Sequence, residues 1–125
     1  MGKEVSFTLP FAARGKESVR GRQFYIPPKT AEFIRTCSAI FRNSSLEAPF
    51  EGALLVEVTC CFKRPKSVSL DELWMPRKPD VDNIEKSLYD AANGILWKDD
   101  CQVSLSLTRK QWASKDEIFI KILEL

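Results

Sequence analysis

Hydrophobic and polar residues alternate from Glu4 to Leu9. Val5, Phe7 and Leu9 fall on one side and Ser6 and Thr8 on the other, the pattern of a half-buried strand closed by Pro10. Gly52 to Lys63 repeats it over a longer run, with Leu54, Val56, Val58, Cys60 and Phe62 on one face. Cys101, Val103, Leu105 and Leu107 alternate again, followed by Ile118, Ile120 and Ile122. Joined through residues 113–116, these two runs predict a terminal hairpin. Elsewhere the period becomes helical. Phe33, Ile34, Cys37, Ile40 and Phe41 predict a helix N-capped by Thr30 and running to about Ser44. Asp82 to Asn93 predicts a second helix, with Gly94 as its stop. Gln23–Ile26 reads as a short extended patch, and residues 64–78, with Pro65 and Pro76, read as a loop. The order β-β-α-β-α-β-β predicts an α+β (mixed α/β) fold, a small mixed β-sheet with two main helices packed on it.

At 125 residues, 44% hydrophobic and 29% charged, the chain is long enough for one domain spanning 1–125 to bury its own core. Composition changes the picture most through a zero: there is no histidine. Ser-His-Asp and Cys-His nucleophilic sites, zinc held by imidazole and a histidine general base are therefore excluded. Cys37, Cys60, Cys61 and Cys101 form no C-x-x-C pair, so they read as reduced thiols that mostly pack as small apolar groups. The beginning of the sequence has no apolar stretch of signal-peptide type, and no run approaches the ~20 apolar residues of a membrane span. A cytoplasmic protein without membrane contact is expected. The net charge of +2 names no partner, but it averages over local segregation. Arg14, Lys16, Arg20, Arg22 and Lys29 stand against Glu17 alone in their stretch.

The densest chemistry is Lys78-Pro79-Asp80-Val81-Asp82-Asn83-Ile84-Glu85-Lys86, followed by Asp90 and then Asp99-Asp100. At about 100° per residue, Ile84, Leu88, Ala91 and Ile95 share a buried arc. Asp82, Lys86 and Asp90 fall opposite, with Asn83 close by and Asp80 just before the first turn. Mg²⁺ binds oxygen, usually through one or two carboxylates plus waters and substrate phosphate. Asp80 and Asp82, joined by Asp100 from another element, suit such an ion, which polarises a phosphodiester and activates water without histidine. Lys86 could neutralise charge developing on phosphate oxygens. The same residues permit a bland reading: Asp82 with Glu85 as a capping box, Asp80 as an N-cap, Lys86 paired with Asp82 or Asp90. An EF-hand loop counted from Asp80 fails, because Glu85 stands at the glycine position and Ala91 at the bidentate glutamate.

The run from Lys78 to Lys86, then Tyr89-Asp-Ala-Ala-Asn-Gly94 and Ile95-Leu-Trp-Lys-Asp-Asp-Cys-Gln-Val103, closely resembles the RusA family of Holliday junction resolvases. That family's pattern is K-P-D-x-D-N-x-x-K, a D-A-x-N-G helix end and W-x-D-D-x-Q-V. Weaker similarity covers the basic Arg14–Arg22 stretch, Tyr25-Ile-Pro-Pro-Lys29 and the helix after it. The family often carries a Gly/Pro-rich basic run after the first strand, where this chain has the plainer Pro10-Phe-Ala-Ala-Arg14.

The resemblance implies a Mg²⁺-dependent endodeoxyribonuclease, with Mn²⁺ as a substitute and no organic cofactor. It would resolve four-way junctions by paired symmetric nicks in DNA recombination and repair. It places the metal-binding aspartates at Asp80, Asp82 and Asp100 and the catalytic lysine at Lys86. Asn83, Asp90 and Asp99 are supporting. It also implies a homodimer, whose two-fold symmetry matches that of the substrate, and a family often encoded on prophages. Arg14, Lys16, Arg20, Arg22, Lys29, Lys66, Arg77 and Lys78 are the expected contacts to DNA phosphates, with Lys63 and Arg64 nearby. Trp74 and Trp97 are expected in the core or a dimer contact. The alternative function is a non-catalytic branched-DNA-binding module of the same fold.

Overall fold

The computed structural model describes residues 2–16 and 26–125. Arg20, Arg22 and all of the short Gln23–Ile26 patch except Ile26 lie outside the described residues. The first alternating run forms β1 (Glu4–Leu9), burying Val5 and Leu9. The first helix, α1 (Pro28–Arg42), starts two residues before the expected cap. Proline at the first helical position needs no hydrogen-bond acceptor and has its φ preset, so Pro28 opens the helix and Thr30 is buried inside it. The long run forms β2 (Leu54–Lys63). The second helix, α2 (Val81–Ala92), ends where Gly94 takes φ +79°, a backbone setting natural to glycine. A single 3-10 turn, Asp100–Gln102, leads into β3 (Val103–Ala113), and β4 (Glu117–Glu124) follows.

The four strands lie in the order β1-β4-β2-β3, with β1/β4 and β4/β2 antiparallel and β2/β3 parallel. The fold is therefore a mixed sheet with two helices, as the pattern predicts, but the terminal hairpin does not form. Strand β2 lies between β3 and β4 and pairs with both. Two strand spacings are about 10 Å, and the four Cα steps from Ala113 to Glu117 reach up to about 14 Å. The link can thus cross over the end of β2, where Asp116 accepts from the Lys63 N–H at 2.8 Å and Ala113 O from the Arg64 N–H at 2.9 Å. The central place goes to the strand with the most apolar surface to bury, which an edge position would leave half wet.

The core joins one face of the sheet to both helices. Leu9, Leu54, Val56, Val58, Cys60, Ile118 and Ile122 meet Phe33, Cys37 and Phe41 of α1 and Ile84 and Leu88 of α2. Trp97 is 1% exposed, and its indole N–H donates to Asn93 Oδ1 at 2.6 Å. Trp74 is not in the core: it is 61% exposed, at the edge of β3, where residues 73–75 are fastened by Trp112 N–H to Leu73 O (2.8 Å) and Met75 N–H to Lys110 O (3.2 Å). Arg64 secures the same loop by donating to Ser69 O and Glu72 O at 2.7 and 2.6 Å. Trp112 is buried, with the Arg77 guanidinium 5.4 Å from its ring centroid.

All four cysteines are free thiols. Cys60 faces the helices, and Cys61 lies on the opposite side, with the Gln111 amide 3.8 Å from its sulfur. Burial pushes the Cys37 and Cys60 thiols up to about 12, so they are protonated packing groups. Among the described residues, no helix is long and apolar enough to cross a membrane.

Candidate active site

Ile84, Leu88, Ala91 and Ala92 turn one arc of α2 into the core, leaving three further strips of its surface. On one flank Glu85 and Tyr89 face β3. The Glu85 carboxylate accepts from Ser106 Oγ at 2.5 Å and Thr108 Oγ1 at 2.7 Å, and Tyr89 Oη lies 2.6 Å from Ser106 Oγ. On the other flank residues 14–16 cross the helix. Ser87 Oγ donates to Arg14 O at 2.6 Å, Lys16 N–H to Asn83 O at 2.9 Å, and the Lys16 ammonium pairs with Asp90. Between these walls runs an exposed strip holding Asp82 and Lys86, with Asp80 at its head.

The bland reading of this strip is not the one the chain adopts. Asp80 is the N-cap in extended conformation, yet its side chain makes no capping bond. Glu85 is turned to β3, so no capping box forms with Asp82. Among the described residues the side chains of Asp80, Asp82 and Lys86 have no hydrogen-bond or ion-pair partner. Asp90 is taken by Lys16.

The Asp99 carboxylate accepts from the Cys101 N–H at 3.2 Å and forms a capping box with Gln102. Gln102 in turn donates to Phe50 O and Gly52 O at 2.9 and 3.1 Å, holding the turn against the segment that leads into β2. The Cys101 N–H draws Asp99 below the usual carboxylate range. Asp100 is pushed up, first by a hydrogen bond shared with Asp99, then by partial burial and by the charges of Asp99 and Asp90. The charge that reaches Asp100 from α2 is thus that of Asp90, eight residues beyond Asp82, or about 12 Å along a helix. Among the described residues no three cysteines or carboxylates stand close enough together to hold an ion. The donors nevertheless suit a hard cation: two carboxylates, Asp80 and Asp82, without partners among the described residues, and a third, Asp100, crowded by like charge. Magnesium needs only one or two protein carboxylates when water and phosphate complete its shell.

The basic residues fall in three groups. Arg14 and Lys29 line a shallow hollow of about 330 Å³ with Phe11, Glu32 and Phe33. Lys63, Arg64 and Lys66 line another of about 480 Å³ at the end of β2. Arg77 and Lys78 are exposed immediately before Pro79 and Asp80. Two structural residues escape a reading of the sequence. Lys110 reaches from the helix-facing side of β3 to donate to Arg77 O (2.6 Å) and Pro79 O (2.9 Å), holding the segment that delivers Asp80. Gly15 lies so close to α2 that a Cβ there would sit 2.8 Å from Asn83 Cβ and 3.2 Å from Pro79 Cβ. Gly15→Ala should therefore lift residues 14–16 off α2, lowering stability by about 1–3 kcal/mol. Denaturant unfolding checks this; an unchanged midpoint would contradict the close approach.

Compared with known proteins, the chain matches the family described as Endodeoxyribonuclease RusA over residues 10–123. It is also similar to the uncharacterized protein YqaN of Bacillus subtilis (strain 168), at 27% identity over 137 residues, covering 97% of this chain and 96% of that one.

Proposed function

The chain belongs to the RusA endodeoxyribonuclease family, and from that premise we propose that it is a Mg²⁺-dependent endodeoxyribonuclease that resolves Holliday junctions by paired symmetric nicks. The observation that carries the reading is the strip on α2, where Asp80, Asp82 and Lys86 stand exposed and, among the described residues, without partners between two tightly bonded walls. Carboxylates left open to solvent at the head of a helix are available to a hard cation that water and phosphate complete.

Asp80 and Asp82 would hold the ion, with Asp100 as a further ligand, and Mn²⁺ could replace Mg²⁺ on such oxygen donors. An ion held there would supply Lewis-acid chemistry to a phosphodiester and to water. Lys86, one turn from Asp82, offers an ammonium to the charge that builds on the phosphate oxygens. Asn83 presents its carbonyl to Lys16, Lys16 balances Asp90, and Asp99 holds the turn that carries Asp100, so these three support the ligands. Arg14, Lys29, Lys66, Arg77 and Lys78 grip phosphates around the strip, adding salt-dependent affinity. The protein acts in the cytoplasm, as a homodimer of one-domain chains, in DNA recombination and repair.

A labelled four-way junction incubated with Mg²⁺ should be nicked symmetrically on two strands, and EDTA should stop it. Junction binding without nicking, from folded protein in Mg²⁺, would leave the non-catalytic binding module instead. Equal cutting of flaps and forks would replace junction resolution by a broader branched-DNA activity.

A further inference from the structure

Strand β3 is turned over relative to its apolar alternation. Ser106, Thr108, Lys110 and Trp112 are abreast of Val56, Val58, Cys60 and Phe62 and face the helices, while Leu105 and Leu107 face away, 55% and 46% exposed. Three successive inward positions therefore carry donors, and each reaches α2 or the segment before it. Ser106 Oγ and Thr108 Oγ1 donate to the Glu85 carboxylate at 2.5 and 2.7 Å, and Lys110 donates to Arg77 O and Pro79 O. A hydroxyl has one proton to give. Ser106 gives its proton to Glu85, so Tyr89 Oη, 2.6 Å from Ser106 Oγ, is the donor in that bond. Burial pushes the Tyr89 phenol up, which keeps its proton in place.

We propose that Glu85 is a positioning residue for the nuclease: through Ser106 and Thr108 it sets the rotation of α2 about its axis, and with it the direction in which Asp82 and Lys86 project. The proposal deepens the nuclease reading and rests on it for what Asp82 and Lys86 do.

Two contrasts single out Glu85. The first is directionality. The arc of α2 that meets the core has Ile84 and Leu88 as its large groups and ends in Ala91 and Ala92. Apolar burial is non-directional and resists a small rotation weakly, whereas a hydrogen bond weakens steeply as it bends. The second is what each wall is fixed to. Ser87 and Asn83 bond to residues 14–16, a connecting segment outside the sheet. Glu85 and Tyr89 bond to β3, which is paired with β2 from Leu54 to Lys63. Among the described residues these two make the side-chain hydrogen bonds between α2 and the sheet. Glu85 directly precedes Lys86 and is three residues from Asp82. At the 5–6 Å radius of helix side chains, a rotation of about 10° moves either side-chain end about 1 Å.

Three variants separate position from charge and from stability: Glu85→Ala, Glu85→Gln, and Ser106→Ala with Thr108→Val. Glutamine removes the charge but keeps an oxygen that can accept from both hydroxyls. Single-turnover nicking of a four-way junction in saturating Mg²⁺ should fall about tenfold in Glu85→Ala, less than a full 1 Å displacement would cost because residues 14–16 still hold α2. Glu85→Gln should stay within about threefold of the parent, since the accepting oxygen remains. The Ser106/Thr108 variant should match Glu85→Ala, and joining the two should slow cleavage no further. Junction affinity in EDTA should not change. Titration of the DNA-free protein with Mn²⁺, followed by electron spin resonance, reads the same geometry without activity: affinity should fall in Glu85→Ala and be kept in Glu85→Gln.

Glutamine falling as far as alanine in both readouts would show that Glu85 acts by charge. Additive losses would uncouple it from the hydroxyls. A lower unfolding midpoint with parental nicking and Mn²⁺ binding would leave it purely structural. Each of these overturns the proposal. If Glu85→Ala does not fold, the Ser106/Thr108 variant decides, and parental behaviour there overturns it too. A parent that binds Mn²⁺ but never nicks sinks the nuclease reading, and the Mn²⁺ titrations still judge Glu85. A nicking parent with unaffected Glu85 variants sinks the role of Glu85 alone.

Discussion

Asp82→Asn is expected to abolish nicking of a four-way junction in Mg²⁺ while leaving junction binding intact. Asp82 lies in the first turn of α2, exposed and without a partner among the described residues. A catalytic ion contributes several kcal/mol of charge stabilisation in the transition state, so losing a ligand should slow cleavage on the order of a thousandfold. The structural cost is much smaller. A carboxylate in the first helical turn contributes about 0.3–1 kcal/mol through the helix dipole, and asparagine retains the shape. Binding in EDTA should stay level or tighten about twofold, because removing one charge some 8 Å from a phosphate relieves only about 0.5 kcal/mol in water. Single-turnover cleavage and gel-shift titrations, run beside an unfolding curve, separate the three effects. Nicking at the parent rate would remove Asp82 from the ligand set.

Lys110→Met should have the second largest effect, although Lys110 lies on a strand rather than in the acidic motif. Its ammonium donates to Arg77 O and Pro79 O, fixing the segment that ends in Asp80. Methionine keeps the length of the side chain and removes both bonds. Hydrogen bonds from a charged group contribute about 1.5–3 kcal/mol when buried, and the Arg77 end is open to water, so a stability loss of about 1–3 kcal/mol is expected. The larger consequence is displacement of Asp80. A shift near 1 Å at a reacting centre can cost about a hundredfold in rate. Cleavage should fall by that order while junction affinity changes little, since Lys110 is occupied by protein carbonyls. If affinity and cleavage fall in parallel, Lys110 is a phosphate contact and not a tether for Asp80.

How far the sequence could be read depended on whether its signal was local. Helix α2 was legible because helical periodicity binds residues a turn apart into one face. Ile84, Leu88 and Ala91 had to go inward, so Asp82 and Lys86 had to face out. Gly94 was legible as a stop for an equally local reason, its positive φ. Strand β3 was legible as a strand but not in its orientation. Alternation divides a strand into two faces without saying which one meets the helices. Here the hydroxyls of Ser106 and Thr108 are inside because Glu85 and Tyr89, on the flank of α2, give them partners. The leucines are left outside, which inverts the usual inference from hydrophobicity.

The sequence by itself determined the kind of each main described element, the strip of α2 that presents Asp82 and Lys86, and a chemistry of oxygen ligands in a chain without histidine. Tertiary structure alone decided that β2 separates β3 from β4, that Lys110 holds the segment before Asp80, and that the Asp99 turn is fastened through Gln102 to Phe50 and Gly52. The physical reason is the range of the forces involved. Backbone sterics and side-chain periodicity act over a few residues and are written in the local sequence. Strand order, register and the path of the turn through Asp99 and Gln102 follow from which buried surfaces and hydrogen-bonding groups satisfy one another across the whole chain.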